Sequence, residues 1–189
     1  AANAFLYNFA YDTARAGNQV ACPFPFIYHH GPHTMANLFE GNVGDNYLND
    51  GYHGSGSHAV LFRNHFNGLH PSYTLYRTLI ALPRGSYYHS VVGNVLGDPS
   101  WTPNRSVGVA GDASTVSHVY LLGFPNGNSA SVNPETSWST HPNVYPDPAV
   151  ASTLIRHGNY DYYNRSVVWD GAIASRSLPS SLFYGSKPA

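Results

Sequence analysis

The sequence predicts an all-β chain, a right-handed parallel β-helix (solenoid) with long loops in its C-terminal half. Three observations carry this. First, a phrase of the form apolar, any, Asn or Gly, any, apolar recurs as Leu6-Tyr7-Asn8-Phe9-Ala10, Phe39-Glu40-Gly41-Asn42-Val43, Phe62-Arg63-Asn64-His65-Phe66 and Val92-Gly93-Asn94-Val95-Leu96. Its alternation is that of a strand with one face buried, so each phrase reads as a short strand carrying Asn or Gly inward. Second, the phrases return at irregular intervals of about 20 to 35 residues, the length of a solenoid coil that buries its face only against its neighbours. Third, apolar residues rarely recur with helical spacing for more than one turn.

The closest internal match aligns His30-Gly31 and Asn37-Leu38-Phe39-Glu40 with His53-Gly54 and Val60-Leu61-Phe62-Arg63, at the same shift in both halves. Two coils in that register stack Phe39 on Phe62 inside and set Glu40 beside Arg63 outside as an exposed ion pair. Inward Asn fits because stacked strands lie about 4.8 Å apart, so amides bond up and down a ladder. Asn64 then faces the interior between Phe62 and Phe66, and Asn42 faces out.

The chain reads as one domain over residues 1–189, with regular coils over 1–97, a loop-rich insertion over 98–150 and a C-terminal coil or cap region over 151–189. Thr74 to Leu82 is a further strand, followed by Pro83 and Gly85. In the middle region seven prolines from Pro99 to Pro148 break the chain into turns around one strand, Val119 to Phe124. Val167-Val168-Trp169 and Leu182-Phe183-Tyr184 read as short strands or cap elements. Nothing near Phe5 to Phe9 resembles a cap, so that edge is a liability or an assembly surface.

Composition excludes several partners. Net charge is −1 and charged residues are only 10% of the chain, so there is no basic stripe for a nucleic acid and no electrostatic help with an acidic polymer. Cys22 stands alone, which rules out an intrachain disulfide and suits a small buried residue in a Pro-rich loop. No apolar run approaches 18 residues, so no membrane span is expected. Lys occurs only at Lys187 while Tyr, Asn and Gly abound. That balance suits a secreted or cell-surface protein whose signal peptide is absent from this chain.

The densest polar constellation is Asp45, Asn46, Asn49, Asp50, His53, Ser55, Ser57 and His58. Asp45, Asp50, His53 and His58 are the candidate acid and base groups, because glycoside hydrolysis needs two carboxylates roughly 5 to 10 Å apart. The competing reading is a turn-rich coil whose Asp and Asn close Asx turns. Tyr47, Tyr52 and Trp101, with the amides of Asn46 and Asn49, are the candidate glycan contacts. Aromatic faces stack on sugar rings while amides bond the hydroxyls, and neither contact needs net charge. His29, His30 and His33, a coil away from His53 and His58, match no metal motif of known geometry, so neither metal nor cofactor is expected.

Asn37 to Asp45, Asp50 to Asn64 and Leu154 to Tyr162 resemble bacterial extracellular β-helix proteins of the pectate-lyase-like superfamily. The resemblance implies the fold and an extracellular location. It leaves activity open, since that superfamily holds lyases, glycoside hydrolases, glycan-binding modules, tailspikes and adhesins. It also implies that the chain is a segment or processed piece of a longer protein. His53-Gly54-Ser55-Gly56-Ser57 faintly resembles the His-Gly stretch of polygalacturonase-type hydrolases, without their supporting acidic and basic motifs. Two functions stand: an extracellular protein that binds, and with a working acid pair cleaves, a neutral polysaccharide; or a surface or fibre protein that self-associates head to tail through its coil ends.

Overall fold

The computed structural model describes residues 2–10, 27–29, 31–51, 55–69, 78–108, 116–124 and 147–188, with Tyr28 described by its backbone alone. Among these residues the first sheet contains β1 (Ala4–Leu6), β3 (Leu38–Glu40), β6 (Val60–Phe62), β9 (Ser90–Val92) and β13 (Ile155–His157), in that spatial order. The second runs from β4 (Val43–Gly44) through β7 (His65–Phe66), β10 (Val95–Leu96) and β14 (Asn159–Asp161) to β15 (Ser166–Val168). The third runs from β2 (Ile27–His29) through β5 (Tyr47–Asn49), β8 (Thr78–Pro83) and β12 (His118–Phe124) to β11 (Arg105–Gly108).

This pairing corrects the predicted single right-handed parallel β-helix. The chain is mostly β, but its strands sort into three separate five-stranded sheets. The parallel order breaks at the end of the second sheet, where β14 and β15 pair antiparallel. The third sheet takes two successive strands, β11 and β12, side by side. A helix, α1 (Pro148–Thr153), stands between β12 and β13. Asp147 caps it by accepting from the Ala149 N–H, and Pro148 enters its first turn.

The recurring phrase also proves to be a corner and not one strand. Tyr7, Gly41, Arg63, Gly93 and Gly158 all have left-handed backbone, with φ between 53° and 69°. Each turns the chain from the first sheet toward the second, and the residue after each is an Asn. Those five Asn residues form the ladder. Nδ2 of Asn8 donates to Oδ1 of Asn42 at 2.8 Å, Asn42 to Asn64 at 2.9 Å, Asn64 to Asn94 at 3.0 Å, and Asn94 to Asn159 at 3.0 Å. The backbone N–H of each donor rung enters the same oxygen, and the second amide hydrogen of Asn42, Asn64, Asn94 and Asn159 goes to the carbonyl of Phe5, Phe39, Leu61 and Val91. Asn64 faces inward as expected. Asn42 was expected outward and is instead a rung, 1% exposed.

The register of the first sheet also differs by one residue from the expected stacking of Phe39 on Phe62. Phe39 pairs with Leu61, and Glu40 with Phe62. A slip of one residue exchanges the two faces of a strand, so Phe39, Leu61 and Val91 fill the interior while Glu40, Phe62 and Val92 lie on the opposite face of the first sheet. The core gathers those inward residues with Ile27, Tyr47, Ile80, Leu96 and Tyr120. β8 carries the near-continuous apolar run Leu79 to Leu82, all of it buried, as expected for a parallel strand covered on both faces.

The outer face of the first sheet is covered by the C-terminal segment. Leu178 seats against Gly93 and Gly158, where a Cβ would come within 2.9 and 3.0 Å of its Cδ1. Arg63 donates to the carbonyls of Pro179 and Leu178 at 2.8 and 3.3 Å. Leu182-Phe183-Tyr184 thus belongs to a strap across the strands and forms no strand of its own.

Candidate functional site

The structure disperses the constellation read from the sequence. Asp45 lies in the bend between β4 and β5, and Asp50 just after β5. Both are buried, at 5% and 0% exposure. Asp50 Oδ2 accepts from the Gly31 N–H at 2.7 Å, and the Asp45 carbonyl accepts from the Gly68 N–H at 2.9 Å. Both bonds link neighbouring segments of the fold and do not close local turns. Tyr52 and His53 lie outside the described residues, as do His30, Cys22 and the Thr74 to Arg77 part of the expected strand. Asn46 is half-buried and its carbonyl accepts from the Ile27 N–H.

Tyr47 and Asn49 point into the interior and not to solvent, both at 0% exposure. Their strand, β5, has alternate residues inward, and His29 pairs with Asn49 across β2. There they join a buried polar network. The Tyr47 hydroxyl bonds His29 Nδ1 at 3.1 Å, and the Asn37 amide bonds His29 Nε2. Asn37 Oδ1 in turn accepts from the backbone and side-chain nitrogens of Asn3, both at 3.0 Å. Asn49 Nδ2 donates to Ser86 Oγ at 2.7 Å and to the Gly56 carbonyl at 3.3 Å. Burial pushes the Tyr47 phenol far up and His29 down. His89, 1% exposed, is pushed down to about 4 by burial, partly offset by the Gly56 backbone and deepened by His29 and His58. All of these groups are therefore neutral at pH 7, and the network works as a packing and specificity device.

Trp101 is half-buried against the core and over Gly68, where a Cβ would come within 2.5 Å of its ring. It fills space and is no open platform. Glu40 is also reassigned: it does not face Arg63 in solvent but is 0% exposed beneath the strap. Oε1 accepts from the Tyr7 hydroxyl at 2.8 Å and from Ser181 Oγ, and Oε2 accepts from the Leu182 N–H at 2.9 Å. Burial opposes its ionisation, but the Ser181 and Tyr7 hydroxyls with the Leu182 and Phe183 N–H groups outweigh it and hold the carboxyl below its ordinary range.

Of the candidate catalytic residues, His58 alone is solvent-facing among the described ones. It sits just before β6, and Tyr88 sits one circuit on, just before β9. Both have left-handed backbone, with φ of 55° and 59°. That conformation is costly for bulky residues, and it throws both side chains outward from the corner between the third and first sheets. Their rings lie 5.0 Å apart and 30° from parallel, and Tyr88 is 57% exposed. Ser57 Oγ holds His58 Nδ1 at 2.9 Å. Tyr87, half-buried against the core, lies behind them, 6.3 Å from Tyr88 and edge-on to it. It is fixed by donating to Asp147 Oδ2 at 2.6 Å, which the Gly85 N–H also reaches at 3.0 Å. Burial raises the Asp147 carboxyl, but Tyr87, the N–H groups of Gly85 and Ala149, and Arg84 together keep it low and ionised.

The ledge of His58, Tyr87 and Tyr88 was only partly visible in the sequence. Tyr-Tyr-His reads as one aromatic run, and nothing local distinguishes the exposed Tyr88 from the buried His89 beside it. The signal that separates them is the repeat itself, since Asn37, Ala59 and His89 each precede a strand of the first sheet inward while Ala36, His58 and Tyr88 take the left-handed position before them. His29, His33 and His58 do not converge, and among the described residues no three His, Cys, Asp or Glu are grouped to hold a metal ion. No helix among them is long and apolar enough to cross a membrane. Compared with known proteins, the chain matches no family model, no curated protein and no solved structure.

Proposed function

We propose that this is an extracellular glycan-binding protein that recognises a neutral sugar chain on the ledge of His58, Tyr87 and Tyr88. The observation that carries the reading is the pair of rings of His58 and Tyr88, which lie 5.0 Å apart at a 30° tilt and face solvent. Left-handed backbone recurs at Tyr7, Ala36 and Arg63 as the corner conformation of the fold, and at His58 and Tyr88 it sets two rings side by side at the surface. A sugar ring lays its C–H face on such rings, and the low charge of the chain suits a neutral ligand. Binding is favoured over cleavage because Asp45 and Asp50 are both buried away from solvent, and Asp50 is engaged by the Gly31 N–H. The test is isothermal titration against a panel of neutral polysaccharides. The expected result is binding that falls at least about tenfold in Tyr88→Ala and in His58→Ala, a loss of about 1.4 kcal/mol or more. Absence of binding by the native chain, or affinities unchanged in both variants, would reject the reading.

A second reading, self-association through the first-sheet edge, has its own support. Among the described residues β1 is an edge strand, and Phe5 within it and Phe9 after it are 46% and 74% exposed. Leu182, Phe183 and Tyr184 add exposed apolar area, with Tyr184 6.1 Å from Tyr7. An unpaired edge with apolar side chains recruits further strands. Sedimentation of the native chain against Phe9→Lys tests it: association lost in the variant supports it, and a native chain that stays monomeric at high concentration rejects it.

A further inference from the structure

We infer that the channel along Tyr7, Gly41, Arg63, Gly93 and Gly158 is an extended-peptide groove, occupied by the chain's own residues 174–184 and open to the same segment of a second copy. The groove follows from the left-handed column. Glycine at 93 and 158 removes the side chains that would otherwise fill it, leaving the notch that takes Leu178. Polar anchors stand along its length. His157 Nε2 lies 2.8 Å from the Ser175 carbonyl, Arg63 donates to the Leu178 and Pro179 carbonyls, and the Glu40 carboxylate accepts from the Leu182 N–H and the Ser181 hydroxyl.

The segment offers these anchors mostly main-chain atoms, with Leu178 and Ser181 as its two inserted side chains. That is how grooves read an extended peptide: main-chain bonds give affinity and a few pockets give selectivity. The segment is itself little buried. Between 171 and 188 only Ser181 is buried, and Ile173 and Leu178 are intermediate. Its connection to the body runs through Gly171, which has nothing within 4 Å of where a Cβ would stand. A weakly covered segment on an open connector, bound through atoms that every copy carries, is suited to exchange between two chains.

The test uses two full-length variants. Leu178→Asp spoils the segment and leaves the groove; Gly93→Asn fills the notch with a residue that tolerates left-handed backbone and leaves the segment intact. Mixed in equal amounts, they should form a one-to-one heterodimer in sedimentation, which neither forms alone. A labelled peptide of residues 174–187 should bind Leu178→Asp at least tenfold more tightly than it binds the native chain, and Leu178→Asp with Gly93→Asn should lose that gain. If Gly93→Asn fails to fold by circular dichroism, the peptide comparison between Leu178→Asp and the native chain decides. No peptide binding to Leu178→Asp, or a Leu178→Asp segment whose amides stay protected from hydrogen exchange, overturns the groove. Peptide binding without a heterodimer from folded variants overturns the second copy as its partner.

Discussion

Ser181 donates its hydroxyl to the carboxylate of Glu40 across 141 residues of chain. This contact joins the C-terminal segment to the first sheet, and Tyr7 and Leu182 bond the same carboxylate. Glu40 stands on the outer face of the first sheet, paired with Phe62, which is why burial there depends on the strap.

Glu40 should therefore give the fold an acid-sensitive contribution. Its carboxyl is held below its ordinary value, so the folded state favours the ionised form. The stabilisation is present above the unfolded-state pKa and disappears as pH falls through the lower folded value. Glu40→Gln should unfold at lower urea concentration than the native chain at pH 7, and the gap should close at the acid end of the range. A gap that is the same at pH 7 and at pH 3 would show that the charge is not what matters.

The Asn ladder predicts equal penalties where the sequence predicted unequal ones. Asn42→Leu, Asn64→Leu and Asn94→Leu should each lose on the order of 1 to 3 kcal/mol, because each strands buried donors and acceptors on both neighbouring rungs. Urea unfolding measures this. A near-neutral Asn42→Leu beside a damaging Asn64→Leu would mean that the ladder does not include position 42.

The ladder also marks the limit of what the sequence discloses. The Asn repeat was legible because identical residues at stacked positions satisfy one another, and Asn64 and Phe66 fall inward as alternation requires. The corner was not, because the left-handed residue before each Asn is Tyr, Gly, Arg, Gly and Gly in turn, and alternation alone cannot tell a straight strand from two short ones joined there. The unseen corner at Gly41 puts Asn42 outside, the one-residue register puts Phe62 inside, and the distance in sequence of the strap that covers Glu40 leaves it in solvent. The ledge suffered likewise: composition showed abundant aromatics, but Tyr47 went to the core and Tyr88 to the surface for reasons of register. Contacts such as Glu40 with Ser181 join distant segments and leave no local mark.

His89 should make stability rise with pH. Buried and neutral in the fold, it is pushed down to about 4 from an ordinary 6.5. The unfolded chain thus binds the extra proton first, and stability falls as pH drops from 6.5 toward 4. This group alone accounts for on the order of 3 kcal/mol across that window, and His29, lowered in the same direction, adds to it. His89→Leu should flatten the slope in urea titrations between those limits and should be less harmful at pH 4.5 than at pH 7.5. An undiminished slope in the variant would show that other groups drive the acid sensitivity.

The strained ledge implies a trade between stability and recognition. His58 and Tyr88 hold φ of 55° and 59°, a region that costs an ordinary L-residue about 1 to 2 kcal/mol and glycine almost nothing. Glycine at either site relieves that strain but loses the ring contact and adds freedom to the unfolded chain, which offsets part of the gain. Tyr88 is the clearer case, because its ring is mostly exposed and little packing is lost with it. Tyr88→Gly should therefore stabilise the fold by up to about 1 kcal/mol while abolishing glycan binding, whereas Tyr88→Ala should remove binding without any gain in stability, since alanine keeps the strain. Thermal unfolding and titration of the two variants side by side give the answer. A Tyr88→Gly chain less stable than Tyr88→Ala would mean that the left-handed backbone at this corner is not strained.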